Sequence, residues 1–178
     1  MKAIRVAEYG NADNLSYDDI PQPEVGDGQA LVKIDIAGVN FIDVYMRNGL
    51  YAKSHTYAQK LPMTLGMEGA GVVVDKSSDV NECEIGDRVA YVMALGSYST
   101  KRNIEANKLV KIPKSISDQQ AAAVLLKGMT VEYLVERLFK VNSTHTVLFH
   151  AVAGGVGLLA CQWLKHLGAK IIGTAGTE

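Results

Sequence analysis

The stretch that most restricts the fold is His150-Ala151-Val152-Ala153-Gly154-Gly155-Val156-Gly157. A short β-like run, Thr146 to His150, leads into it. Val156, Leu159, Ala160, Trp163, Leu164 and Leu167 then recur at helical spacing, with Gln162, Lys165 and His166 off that stripe. Gly168 stands where a helix would end in a left-handed residue, and Lys170 to Thr174 reads as a second strand. Strand, glycine turn, helix, strand is one βαβ unit. In the turn, Ala151-x-x-Gly154-x-x-Gly157 keeps the last two glycines of the G-x-G-x-x-G dinucleotide fingerprint with alanine ahead of them, and Gly155 adds another small residue. Glycines let backbone amides approach a diphosphate closely, and the helix N-terminus adds about half a positive charge. The alternative is a tight turn with no ligand. Gly154, Gly155, Val156 and Gly157 are therefore candidate cofactor contacts.

After the second strand the chain reads Gly173-Thr174-Ala175-Gly176-Thr177, with no carboxylate before Glu178. An acidic residue there would hold the ribose hydroxyls of NAD. Small residues leave room for a 2′-phosphate, so NADP (as NADPH) is the expected cofactor, with Gly176 and Thr177 beside it.

The rest of the chain divides near Ser117. Residues 1 to about 115 read as mainly β. Val32, Ile34 and Ile36 alternate with Lys33 and Asp35 over Ala30 to Ala37, the mark of a strand with one wet face. Gly69–Val74, Arg88–Ala94 and Leu109–Ile112 are shorter apolar runs bounded by turn residues. Ser117-Asp118-Gln119-Gln120 then reads as a capping box, Gly128 interrupts the helix, and Val131, Leu134, Val135 and Leu138 resume a helical stripe.

Composition removes several functional classes. A net charge of −1 without a basic block gives no field for nucleic acid or an anionic membrane surface. No apolar run reaches the ~18–20 residues of a membrane span, and the N-terminus has no apolar signal core. Two distant cysteines suit a reducing compartment and form no metal lobe. A cytoplasmic protein acting on a small molecule is expected.

Several segments together resemble the zinc-independent quinone oxidoreductases of the medium-chain dehydrogenase/reductase superfamily, the group that includes ζ-crystallin. They are Gly38-Val39-Asn40-Phe41-Ile42-Asp43-Val44-Tyr45-x-Arg47-x-Gly49-Leu50-Tyr51, Gly66-Met67-Glu68-Gly69-Ala70-Gly71-Val72-Val73 and Gly86-Asp87-Arg88-Val89. The last is Leu126-Lys127-Gly128-Met129-Thr130, taken with Ala153-Gly154-Gly155-Val156-Gly157 and the Gln162 and Lys165 that follow. The resemblance implies a mixed α/β protein: a GroES-like antiparallel β-barrel-type domain over 1–125, then the beginning of a Rossmann dinucleotide-binding domain over 126–178.

It further implies hydride transfer from NADPH to a quinone. Asn40 would sit beside nicotinamide and substrate, and Tyr45 and Tyr51 would line the cleft and donate to a reduced oxygen. Phe41, Ile42, Asp43 and Tyr45, with Thr130 and Tyr133, would contact the cofactor. Zinc is not expected. The superfamily's alcohol dehydrogenases use a Cys and a His, where this chain has the Asn40–Asp43 region and Met67, a poor zinc ligand.

Plainer readings stand beside these. Tyr45 and Tyr51 are packing residues, Thr130 and Tyr133 a solvent-facing rim, Asp43 and Arg47 an ion pair, and Glu68 a structural hydrogen-bonding group. Lys127 contacts a phosphate or caps a helix. The polar segment Ala52–Lys60 departs from the family pattern and would border the cleft. An enone or enal reductase, or a truncated scaffold or binding protein without catalysis, are the competing functions. A lone βαβ unit leaves apolar sheet surface uncovered, so the chain is expected to be a fragment or to pair as a homodimer.

Overall fold

The alternating run at Ala30–Ala37 becomes the middle of the larger sheet. The computed structural model describes residues 1–176 and divides into two units, Met1–Ala123 and Val124–Glu178. The first holds β1 (Lys2–Val6), β2 (Leu15–Asp19), β3 (Gln29–Gly38), α1 (Phe41–Arg47), β4 (Met63–Thr64), β5 (Glu68–Lys76), β6 (Arg88–Val92), β7 (Lys101–Glu105) and β8 (Val110–Lys111). The strands make one sheet ordered β2-β1-β4 and another ordered β7-β3-β5-β6-β8, antiparallel throughout.

Within β3, Lys33 and Asp35 are exposed and Val32 is fully buried, as period two requires. Leu31 is buried as well, so that end of the strand is covered on both faces. The register to β5 shifts twice: Leu31 faces Asp75 but Val32 faces Val73, and Ile34 faces Gly71 but Ile36 faces Ala70. Val74 and Asp35 are the extra residues, and such bulges bend and twist a sheet. Gly71 lies so close to β3 that a Cβ would overlap the Lys33 carbonyl oxygen. Val32, Val73, Val89 and Tyr91 form the interior, each 0% exposed. A fully buried side chain of this kind contributes roughly 1.5–3 kcal/mol. The Tyr91 hydroxyl is satisfied at 2.9 Å by the Ser97 oxygen.

Two elements depart from the sequence reading. Residues 41–47, inside the stretch read as mainly β, form the helix α1. Further on, α2 (Asp118–Glu132) passes through Gly128 without a break, because one helical glycine costs only about 1 kcal/mol relative to alanine. The capping box at its start is complete: the Gln120 amide donates to Ser117 Oγ at 3.2 Å, and the Ser117 amide to Gln120 Oε1 at 2.9 Å. Arg88 fastens this helix start to β6 by donating to Asp118 Oδ1 at 2.7 Å.

The second unit continues α2 into a π-helical turn over Tyr133–Leu138. Its wider spiral brings Arg137 Nε to Glu132, five residues back, at 2.8 Å. The turn also carries Leu138 off the apolar stripe expected of it: Leu138 is 63% exposed while Val131 and Val135 are buried. Then follow β9 (Thr146–Phe149), α3 (Gly155–His166) and β10 (Lys170–Gly173), with β9 and β10 parallel. Ala160 and Leu164 of α3 are 0% exposed in a core with Val131, Val135 and Val141. Gly168 takes φ +76° and ends α3, its amide donating to the Lys165 carbonyl. Leu148 and Ile172 remain 57% and 49% exposed.

Ser117→Ala removes one half of the capping box. It is expected to lower unfolding stability in chemical denaturation by about 1 kcal/mol. Unchanged stability would mean that the cap contributes nothing.

Candidate active site

The functional side chains of the first unit gather around Asn40. The residue adopts extended backbone angles, φ −135° and ψ 153°, and starts α1. Its backbone amide donates to Asp43 Oδ2 at 3.0 Å, the reach-back bond of a capping box. Its side-chain Nδ2 donates to Glu68 Oε2 at 2.8 Å. The Tyr98 hydroxyl donates to the same Asp43 oxygen at 2.8 Å. Asn40, Asp43 and Glu68 are 8%, 4% and 0% exposed. One asparagine thus joins two buried carboxyls and fixes where α1 begins. A seven-residue helix is far below the ~12–15 residues needed for independent stability, so these contacts and buried Met46 hold it. Gly38 serves the same cluster by close approach, since a Cβ there would collide with the Glu68 carboxyl and the Ala122 carbonyl.

Burial pushes the Asp43 carboxyl above its ordinary 3.8, and the Glu68 carboxyl adds to the rise; the Tyr98 and Asn40 hydrogen bonds oppose it. Burial, and then the bond to Asp43, hold the Tyr98 phenol well above the usual tyrosine range, so it stays the donor. Arg47 turns away from Asp43 and donates to the Gly10 carbonyl at 3.2 Å, so the expected Asp43–Arg47 ion pair does not form.

The aromatic residues form a chain of edge and tilted contacts. Phe41 and Tyr45 have ring centroids 5.7 Å apart, Tyr45 and Tyr51 5.9 Å, and Tyr51 and Tyr57 5.1 Å. Phe41 is 74% exposed beside Val39 at 76%, while Ile42 packs toward Val6, Met46 and Met63. The start of α1 therefore offers a flat apolar face next to a buried polar cluster.

The second unit presents the glycine turn. Ala151 takes φ +55°, a left-handed conformation, one residue before the position where G-x-G-x-x-G, counted back from Gly157, would have its first glycine. Gly154 caps α3 in extended conformation, and residues 153–155 are exposed. The amides of Gly155, Val156 and Gly157 open the helix and have no acceptor within it. Gly157 is buried, and a Cβ there would overlap the carbonyl oxygens of Ala151 and Val152. The helix thus starts hard against the turn. A Cβ on Gly155 would come within 2.9 Å of Lys127 Cε, so the stem of that lysine lies across the turn. The Val152 amide donates to the Thr174 carbonyl at 2.9 Å and the Thr174 amide to Phe149 at 3.1 Å, tying the end of β10 to the turn.

The expected residues fare differently. In the first unit Asn40, Phe41, Ile42, Asp43, Tyr45 and Tyr51 lie together, although Asn40 and Asp43 are buried and engaged. In the second, Thr130 Oγ1 donates to the Leu126 carbonyl at 2.9 Å, Tyr133 is 53% exposed, and Gly176 has open space around it. Thr177 lies outside the described residues. Tyr98 was not anticipated, because a partner 55 positions from Asp43 leaves no spacing signal. Among the described residues no group of three or more His, Cys, Asp or Glu is placed to hold a metal ion.

A raised carboxyl binds its proton more tightly in the folded protein than in the unfolded chain. Its stabilisation is complete below about pH 4 and is lost as pH rises through the folded value. Asp43→Asn removes that titration. The variant is expected to gain melting temperature relative to the parent as pH rises above about 4. A pH-independent difference would contradict the assignment.

Comparison with known proteins agrees with this architecture. Residues 26–135 match the family described as alcohol dehydrogenase GroES-like domain. A quinone oxidoreductase of Pseudomonas aeruginosa is 45% identical over 177 residues, covering 99% of this chain and 53% of that protein. A 2-haloacrylate reductase of Burkholderia is 37% identical over 181 residues, covering 100% of this chain and 54% of that protein. The crystal structure of Escherichia coli quinone oxidoreductase complexed with NADPH superposes with a TM-score of 0.94 at 43% identity, covering 99% of this chain and 53% of that one. The chain spans about half the length of the curated relatives it matches. With a match over most of its first unit, the chain belongs to the alcohol dehydrogenase GroES-like domain family.

Proposed function

We propose that this chain carries residues of an NADPH-dependent quinone reductase that works without zinc. The observation that supports it most is the exposed glycine turn, where the first amides of α3 have no acceptor within the helix and a Cβ on Gly157 would overlap backbone carbonyls. The relative solved with NADPH has the same fold over this region.

In this reading the Gly155, Val156 and Gly157 amides hold the diphosphate. The helix dipole, about half a positive charge, and the Lys127 cation attract it. Gly173, Thr174 and Gly176 keep the end of β10 small, which leaves space for a 2′-phosphate. NADPH, when bound, supplies the hydride. On the first unit, Phe41, Ile42 and Tyr45 offer the flat face on which an aromatic ring rests, and Tyr45 and Tyr51 supply hydroxyls to a reduced oxygen. Asn40 and Asp43 act as positioning residues, because both are buried and set the start of α1.

A quinone accepts hydride readily, so orientation and a proton donor serve it better than a Lewis acid. The Asn40 amide donates to Glu68, and Met67 offers only a thioether, a poor zinc ligand. Both cysteines are free, which accords with a reducing cytoplasm. No helix among the described residues is long and apolar enough to cross a membrane. The exposed Leu148 and Ile172 suit an assembly with further protein, a homodimer included.

A second reading, reduction of an activated alkene such as an enone, is favoured by the similarity to 2-haloacrylate reductase. Turnover of quinones against enones with NADPH separates the two.

Gly155→Asp places a carboxylate at the first position of α3, where it suits the helix but repels a diphosphate. Fluorescence titration of the chain with NADPH is expected to show saturable binding that weakens at least tenfold in the variant, about 1.4 kcal/mol, with no loss of thermal stability. Equal affinity in both proteins would overturn the cofactor assignment.

A further inference from the structure

One cavity in the first unit is not explained by the cofactor. It measures about 220 Å³ and is lined by Met46, Met67, Met93 and Leu95 together with Thr56, Tyr57 and Gln59. We propose that this cavity is the acceptor-ring pocket, built to take a flat one-ring substrate and to turn away larger fused rings.

Size comes first. An apolar cavity of ~150 Å³ holds a benzene ring, whereas sites that enclose drug-sized ligands measure roughly 300–1,000 Å³. The observed volume is close to that of one substituted ring and below the range of sites that enclose larger ligands. Composition comes second. Three methionine thioethers meet in the lining, and thioether sulfur makes favourable contacts with aromatic rings. Thr56, Tyr57 and Gln59 add two hydroxyls and an amide to the lining, groups that can donate to the oxygens of such a ring.

Backbone strain is the third and independent sign. Met93 takes φ +56°, a left-handed conformation that costs a residue with a Cβ roughly 1–2 kcal/mol. Its amide is held by the Met67 carbonyl at 2.8 Å, so two of the lining methionines are coupled through the backbone. Strain of this kind persists where a site needs the side chain it presents.

Three lining residues, Thr56, Tyr57 and Gln59, come from the 52–60 segment, the part of the chain that departs from the family pattern. Ser54 shapes it: the amides of Thr56 and Tyr57 donate to Ser54 Oγ at 3.2 and 3.1 Å. Tyr57 packs on Tyr51, which meets Tyr45 on α1. The wall that limits ring size is thus anchored to the helix that begins at Asn40. The proposal deepens the reductase reading, on which it rests for the identity of the ligand as a redox acceptor. The pocket itself is tested without turnover.

The test uses the full chain labelled with ¹³C at its methionine methyl groups and no NADPH. The probes are tetramethyl-1,4-benzoquinone, with one ring, and anthraquinone-2-sulfonate, with three. The one-ring probe is expected to shift the Met46, Met67 and Met93 methyls saturably and to leave Met129 in place. The three-ring probe is expected to bind at least tenfold more weakly. Tyr57→Ala should shrink that preference below threefold, and Thr56→Trp, at an exposed rim position, should weaken one-ring binding at least tenfold. Equal binding of the two probes, shifts confined to other methionines, or a preference unchanged in Tyr57→Ala would overturn the pocket. Because NADPH takes no part, a chain that binds the ring but not NADPH would refute the reductase reading and leave the pocket standing.

Discussion

Asn40 donates twice, from its backbone to Asp43 and from its side chain to Glu68. The first bond starts a helix too short to stand alone. The second ties that start to the first residue of β5, an interior strand of the larger sheet. Tyr98 adds a bond from a distant loop to the same Asp43 oxygen. Buried carboxyls without partners would be strongly unfavourable. Here the cost is offset because each shares donors fixed by the sheet and the cap, and the result is a rigid platform. On it stand Phe41, Tyr45 and, through ring contacts, Tyr51 and Tyr57. The lining methionines Met46 and Met67 lie within three residues of Asp43 and one of Glu68. Moving α1 would move the aromatic face and one wall of the cavity together.

The glycine turn follows a different logic. Its shape comes from positions where a Cβ has no room, most clearly Gly157 against the carbonyls of Ala151 and Val152. Ala151 accepts a left-handed backbone angle that glycine would adopt without strain. What the turn does chemically is to present amides and exclude side chains, while the first unit orders polar groups in its interior.

Much of this was legible in the chain. The alternation at Val32, Ile34 and Ile36, the capping box at Ser117, the stripe of α3 and the stop at Gly168 are local signals, and local physics realised them. The misses share a cause. Gly128 reads as a breaker, but packing on either side outweighs its small penalty. Leu138 fits a regular helical stripe, yet the chain widens into a π-helical turn that puts it in solvent. The α1 segment is too short to announce itself by periodicity. The partnership of Tyr98 with Asp43 joins residues far apart in sequence, and the left-handed Met93 has no glycine or asparagine to mark it. Buried polar networks and tertiary strain depend on neighbours that no window of sequence contains.

Native-state hydrogen exchange on Asn40→Ala bears most directly on the role of that residue. If Asn40 holds the start of α1, the amides of residues 43–47 should lose protection at least tenfold, about 1.4 kcal/mol. Those of β2, an edge strand that pairs with β1 alone among the described strands, should change little. Protection in α1 equal to that of the parent chain would show that the helix is held by other contacts and that the buried asparagine is not its anchor.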